Sequence, residues 1–156
     1  MNLYLVQHGE AKAEAEDPDR ALTQFGTEVV ERMAAWVAKA GIEVDQIRHS
    51  GKRRALQTAE ILAHGIAPNQ GVVSVSGLNP NDDVAPWTDN LAEASGSVML
   101  VGHLPFLSRL ASLLLVGDPT KGIIRFRNAG IVCLIREEGQ WSLGWVVTPG
   151  QVEALN

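Results

Sequence analysis

Cysteine, excess positive charge, long apolar runs and closely spaced metal ligands are all scarce in this chain of 156 residues, and each scarcity narrows its possible functions. Thirteen Lys and Arg stand against eighteen Asp and Glu, for a formal net charge of −5. Binding nucleic acid requires clustered cations in excess to neutralise phosphates, so that class of partner is not expected, although a small local basic pocket remains allowed. The four tryptophans have no basic stripe beside them and read as core and hairpin packing rather than a base-stacking platform. The single cysteine, Cys133, sits in the apolar run 131–135; it cannot form an intramolecular disulfide and reads as buried strand filler. No apolar run approaches the roughly eighteen residues needed to span a bilayer, so no membrane association is expected. The chain starts directly in a strand-like segment, without a basic leader or cleavage site, and the expectation is a soluble cytoplasmic protein, a monomer. No pair such as His-x-x-x-His occurs, and neither a metal nor an organic cofactor is expected.

What the chain does have is apolar residues, 46% of the total, enough for one domain over 1–156 that buries roughly 70% of the surface its unfolded form would expose. Residues 3–6 form a short apolar run, as in a strand buried on both faces. Thr23 is placed to N-cap a helix with Val29, Val30, Met33, Trp36, Val37 and Ala40 at helical spacing, ended by Gly41. A strand over 44–49, a helix over 53–63 and a strand over 72–75 follow. After Pro80, Asp82 or Asp83 is expected to cap a helix carrying Val84, Trp87, Thr88 and Leu91. A buried strand over 97–101 leads through Gly102-His103 into a helix with Pro105 near its start, Leu107, Leu110, Ala111 and Leu114 inward, and a stop at 117–119. Segments 131–137 and 141–147 flank Glu138-Gly139-Gln140 as a β-hairpin. Alternating strands and helices closed by a hairpin predict an α/β fold, a mostly parallel mixed sheet with helices on both faces.

Three distant segments carry the chemistry: Val6-Gln7-His8-Gly9-Glu10, the run 50–58 from Ser50 through Arg54 to Thr58, and Val101-Gly102-His103-Leu104-Pro105. Each follows a predicted strand, and in such sheets ligands bind beyond the C-terminal strand ends, where these residues would converge. A neutral imidazole is a competent nucleophile toward phosphorus, and a transferring phosphoryl group needs fixed donors for its oxygens. Arg54 near a helix start offers a bidentate guanidinium, and His103 a donor if protonated. His49 and His64 read as packing or surface residues, Lys52 and Arg53 as solvated or partner-attracting, and the acids at 14, 16, 17 and 19 as a solvated loop.

With Arg20-Ala21-Leu22-Thr23, Gly26 and Leu78-Asn79-Pro80 in the same order, the chain resembles the histidine phosphatase superfamily, and within it the small phosphohistidine phosphatases, to about Pro149. The resemblance implies a phosphoglycerate-mutase-like three-layer α/β/α sandwich. It further implies His8 as the phosphorylated nucleophile, Arg54 as the phosphate clamp and His103 as the second histidine. Gln7, Gly9, Arg20 and Thr23 would contribute to substrate binding, with no metal. The implied substrate is a phosphohistidine-bearing signalling protein such as a histidine phosphotransfer domain. Gln7 stands where the family has an arginine, which removes a charge; Arg20 or Lys12 on the following loop could supply it. Two alternatives stay open: a small-molecule phosphomonoesterase using Asp82, Asp83 or Glu10 as acid, and a non-catalytic phosphate- or phosphoprotein-binding domain. The absence of a lid-sized insertion between Leu62 and Ser97 favours a substrate displayed on another protein.

Overall fold

The computed structural model describes residues 1–155; Asn156, the last residue of the expected domain, lies outside the described residues. Six strands, β1 (Asn2–Gln7), β2 (Gln46–His49), β3 (Val72–Ser74), β4 (Val98–Gly102), β5 (Ile131–Glu137) and β6 (Gln140–Val147), form one sheet in the order β3-β2-β4-β1-β5-β6. The first four pair in parallel, while β5 against β1 and β6 against β5 run antiparallel. Helices α1 (Gln24–Lys39), α2 (Arg53–Ile66), α3 (Pro86–Ala92), α4 (Phe106–Val116) and α5 (Pro149–Ala154) complete the mixed α/β layers.

Period-two alternation splits the interior into two cores. Along β1, Tyr4 and Val6 enter a core shared with α1 and α2, and Leu3 and Leu5 enter the other, shared with α3 and α4. On β4, Met99 and Val101 join the first and Val98 and Leu100 the second. Strands buried on both faces must be apolar at every position, which is why these segments read as unbroken runs. Cys133 is buried in the first core.

Most predicted elements form within a few residues of their expected bounds. Thr23 N-caps α1, its hydroxyl accepting the Gly26 N–H at 2.9 Å, and Gly41 follows the helix with φ +68°. In the hairpin the loop is two residues, Glu138 and Gly139, both at positive φ, as a primed turn requires, and Gln140 already pairs with Glu137. The third helix differs from expectation. It starts at Pro86, whose fixed φ and missing N–H suit a first helical position, and neither aspartate caps it. Asp83 instead accepts the Ala85 N–H and Asp82 that of Asn79, shaping the approach turn, while Thr88 faces outward. Leu114 of α4 is only partly buried. α5 was not expected, because one inward residue, Val152, gives no periodicity to read. Its start is nonetheless written locally: Pro149 stands at the first position, and Gln151 Oε1 accepts the Thr148 N–H at 2.9 Å.

Candidate active site

Register assembles the site. β1 and β4 lie side by side with Gln7 opposite Gly102, and the His8 N–H donates to the Gly102 carbonyl at 3.1 Å. The next residue on each strand is a histidine, so the His8 and His103 rings meet with centroids 5.1 Å apart. β2 flanks β4 on its other side, with His49 opposite Val101, which delivers Ser50 to the same strand ends. Ser50 Oγ lies 2.6 Å from His103 Nε2. Arg54 is the second residue of α2.

His8 is held in one orientation. Its Nδ1 lies 2.7 Å from the Gly9 carbonyl oxygen, which can only accept, so Nδ1 carries the proton and Nε2 keeps its lone pair. Burial lowers the His8 pKa; the Gly9 contact works in the opposite direction, and the charges of Arg54 and Arg20 lower it further. The ring is therefore neutral at neutral pH. His103 is pushed down to about 3 by burial first, then by His8, Arg54, Lys52 and Arg20. The sequence made His103 a donor if protonated, and in the free site that condition is not met at neutral pH: a buried ring among cations stays neutral.

Arg20 belongs to this constellation through the loop after β1. Lys12 N–H donates to the Ala21 carbonyl at 2.8 Å and Thr23 N–H to the Glu10 carbonyl at 3.0 Å, closing the loop onto itself. Asp17, expected only as a solvated acid, shapes its tip by accepting the N–H groups of Asp19 and Ala21, both at 3.0 Å. Those two hydrogen bonds hold its carboxyl below the usual range. Arg20 emerges from this turn at φ +50°, with its Nε donating to the Lys12 carbonyl at 3.0 Å. Its charge lowers the pKa of His8, Arg54 and His103.

Other expected contact residues are engaged elsewhere. The Gly9 N–H donates to Thr58 Oγ1 at 3.0 Å, and a Cβ on Gly9 would approach Val30 Cγ2 to 2.7 Å, so glycine there serves close packing. The Thr23 hydroxyl donates to Glu10 Oε2 at 2.8 Å as well as capping α1. Thr58 Oγ1 in turn donates to the Arg54 carbonyl at 2.7 Å, and Gln57 Oε1 accepts the Leu22 N–H at 2.8 Å. These two α2 side chains, with Ser50, were visible in the 50–58 run but had no assigned role; they tie the His8 loop to the helix that carries Arg54. Asn128, whose Nδ2 donates to the His8 carbonyl at 3.1 Å, gave no signal in the sequence. His49 is buried, with Nδ1 accepting the Gly51 N–H at 3.1 Å, in keeping with a packing role.

Two observations define the ligand this arrangement suits. Among the described residues, the buried side-chain atoms without a hydrogen-bond partner are Gln7 Oε1, Arg54 Nε, His103 Nδ1 and Ser112 Oγ, three of them at the site. The ion pairs among the described residues are Arg32 with Glu153 and Lys121 with Asp118. Among the described residues Lys12, Arg20, Lys52, Arg53 and Arg54 have no carboxylate partner, in an otherwise acidic chain. Unpaired cations and the unmatched Arg54 Nε–H around a bare imidazole nitrogen suit an anion, whereas Gln7 Oε1, an acceptor, does not. Among the described residues no cluster of three or more His, Cys, Asp or Glu is placed to hold a metal ion, and no helix is long and apolar enough to cross a membrane. Beside the His8 loop a cavity of about 380 Å³ is lined by Glu10, Phe25, Val29, Arg127, Asn128 and Pro149, and Phe25 is 60% exposed.

Comparison with known proteins agrees with the geometry. The family described as "Histidine phosphatase superfamily (branch 1)" matches residues 3–79. An uncharacterized protein of Picosynechococcus sp. is 33% identical over 142 residues, which cover 86% of this chain and 84% of the relative. The phosphohistidine phosphatase SixA of Escherichia coli is 25% identical over 154 residues, covering 96% and 94%. The solved structure of the protein histidine phosphatase SixA complexed with tungstate superposes with a TM-score of 0.86 at 25% identity, covering 97% of this chain and 99% of that one.

Proposed function

The chain belongs to the histidine phosphatase superfamily, and from that premise we propose that it is a metal-independent phosphohistidine phosphatase acting on a phosphohistidine displayed by a signalling protein such as a histidine phosphotransfer domain. The observation that carries the reading is the free Nε2 of His8, created by the 2.7 Å contact of Nδ1 with the Gly9 carbonyl and surrounded by unpaired Arg54 and Arg20.

In the proposed reaction His8 Nε2 attacks phosphorus in line. The new N–P bond forms as the bond to the substrate imidazole breaks, and that imidazole leaves with a proton it already carries near neutral pH. Arg54 and Arg20 bear the charge on the phosphoryl oxygens, and His103 contributes an N–H. Water then cleaves phospho-His8, returning inorganic phosphate and the free imidazole. Imidazole leaves well without a strong acid, so the reading does not depend on a dedicated carboxylic acid. That matters because Asp82 and Asp83 hold backbone N–H groups and Glu10 receives the Thr23 hydroxyl. Among the described residues, only β3 and α3 lie between α2 and β4, with no lid-sized insertion there, which leaves room for a histidine on another protein's helix.

The test compares wild type and His8→Ala on a phosphohistidine peptide and on p-nitrophenyl phosphate, with EDTA present. Wild type is expected to turn over the peptide at a rate EDTA does not change, and to carry an acid-labile, base-stable phosphate. His8→Ala should lose both. Turnover in the mutant defeats the nucleophile assignment. An inactive wild type that still binds phosphate or a phosphoprotein moves the protein to the binding-domain class.

A further inference from the structure

The contact between Ser50 and His103 bears on a question that the histidine's position alone leaves open, namely which ring nitrogen carries the proton. Ser50 Oγ receives the Lys52 N–H at 3.3 Å and lies 2.6 Å from His103 Nε2. A hydroxyl has one hydrogen and two lone pairs; Lys52 N–H takes one lone pair, and the acceptor within reach of the hydrogen is His103 Nε2. Neutral His103 then carries its own proton on Nδ1, the atom that is buried without a partner. The opposite tautomer would leave a bare lone pair at Nδ1, unmatched in the protein and repelled by an anion.

We propose that Ser50 is a positioning residue: its hydroxyl fixes His103 as the neutral Nδ1–H tautomer, so that the second histidine of the site meets phosphoryl oxygens as an uncharged donor. This rests on the phosphoryl-transfer reading of the same site. The surroundings agree, since burial and the charges of Arg54, Lys52 and Arg20 hold the ring neutral. In this arrangement Arg54 and Arg20 supply the fixed positive charge, and the donor on His103 persists across the pH range in which a cationic histidine would be lost. Nothing in sequence spacing distinguishes the two nitrogens; the parallel pairing of β2 with β4 does.

Long-range proton–nitrogen NMR spectra on uniformly ¹⁵N-labelled protein read the tautomer directly, and the chain has four histidines to assign. His103 in wild type is expected to show a protonated Nδ1 and a bare Nε2 at neutral pH, with the Nδ1 proton shifting when inorganic phosphate is titrated in. Ser50→Ala should convert the ring to the other tautomer or a mixture and lower kcat about tenfold, as expected for the loss of one hydrogen bond's orientation. Ser50→Thr, which keeps a hydroxyl, should restore both. A protonated Nε2 in wild type overturns the proposal even if the variants fail to fold. So does a Ser50→Ala protein with unchanged tautomer and kcat, or a Nδ1 proton indifferent to phosphate. Wild type that shows the expected tautomer and phosphate response but no turnover defeats the phosphatase reading and leaves Ser50 only as the residue that sets His103 as a donor to bound phosphate.

Discussion

Arg20 and Gln7 bracket His8 with one charge where the family resemblance implies a charge at position 7. A positive neighbour disfavours protonation of an imidazole, so removing Arg20 should raise the His8 pKa and adding a charge at position 7 should lower it further. Burial is the larger cause, so Arg20→Ala is expected to move the His8 midpoint upward without restoring the ordinary 6.5. Gln7→Arg should shift it downward and tighten inhibition by vanadate about tenfold, the scale of one charge-assisted contact. Proton NMR titration of His8 and vanadate inhibition curves check both. If Arg20→Ala leaves the midpoint and the inhibition unmoved, Arg20 is a turn residue and nothing more. Its candidacy was legible in the sequence from the motif before Leu22-Thr23. Its delivery was not, because that depends on Asp17 capping the loop through two backbone N–H groups at 3.0 Å.

Helices α1 and α2 cover the same face of the sheet and pack tightly at Gly65, where an added Cβ would collide with the Ala34 carbonyl oxygen and come within 3.2 Å of Val37 Cγ2. At the penultimate position of α2 alanine gains less than the ~1 kcal/mol it gains over glycine in a helix interior, while overpacking costs about 1 to 3 kcal/mol. A backbone oxygen cannot rotate aside, so the clash is expected to win. Gly65→Ala should be less stable by about 1 to 2 kcal/mol, read as a lower urea midpoint at unchanged slope. An unchanged or higher midpoint would mean the helices shift apart at no cost. Elements whose signals lie in neighbouring residues, such as the doubly buried β1, the Thr23 cap and the Glu138-Gly139 turn, could be read directly. The start of α3 could not, because Asp82 and Asp83 had competing local N–H partners and Pro86 offered a better first position.

Across the whole molecule, three histidines, His8, His49 and His103, have folded-state pKa values lowered first by burial. Below the unfolded value of 6.5 the unfolded chain binds more protons than the folded one, so stability is fully present above 6.5 and declines as pH falls toward about 3, where His103 titrates. The melting temperature is therefore expected to be flat just above pH 6.5 and to drop on acidification. His49→Asn, whose carbonyl can still accept the Gly51 N–H, should make that decline shallower. A slope identical to wild type would show that His49 is not protonated on unfolding in that window.

The alternation of strands and helices, the histidine at the end of the first strand, the second histidine and the arginine at a helix start were all determined by the sequence itself. Hydrophobic period, capping and turn preference act over a few residues, and the three motifs occur in a recognisable order. What only the tertiary structure decided is how they meet. Pairing Gln7 with Gly102 brings the two rings to 5.1 Å, and pairing β2 with β4 delivers Ser50 to His103 Nε2. Strand order and register depend on contacts between segments far apart in the chain, and the protonation of each ring nitrogen depends on which neighbour those contacts place beside it.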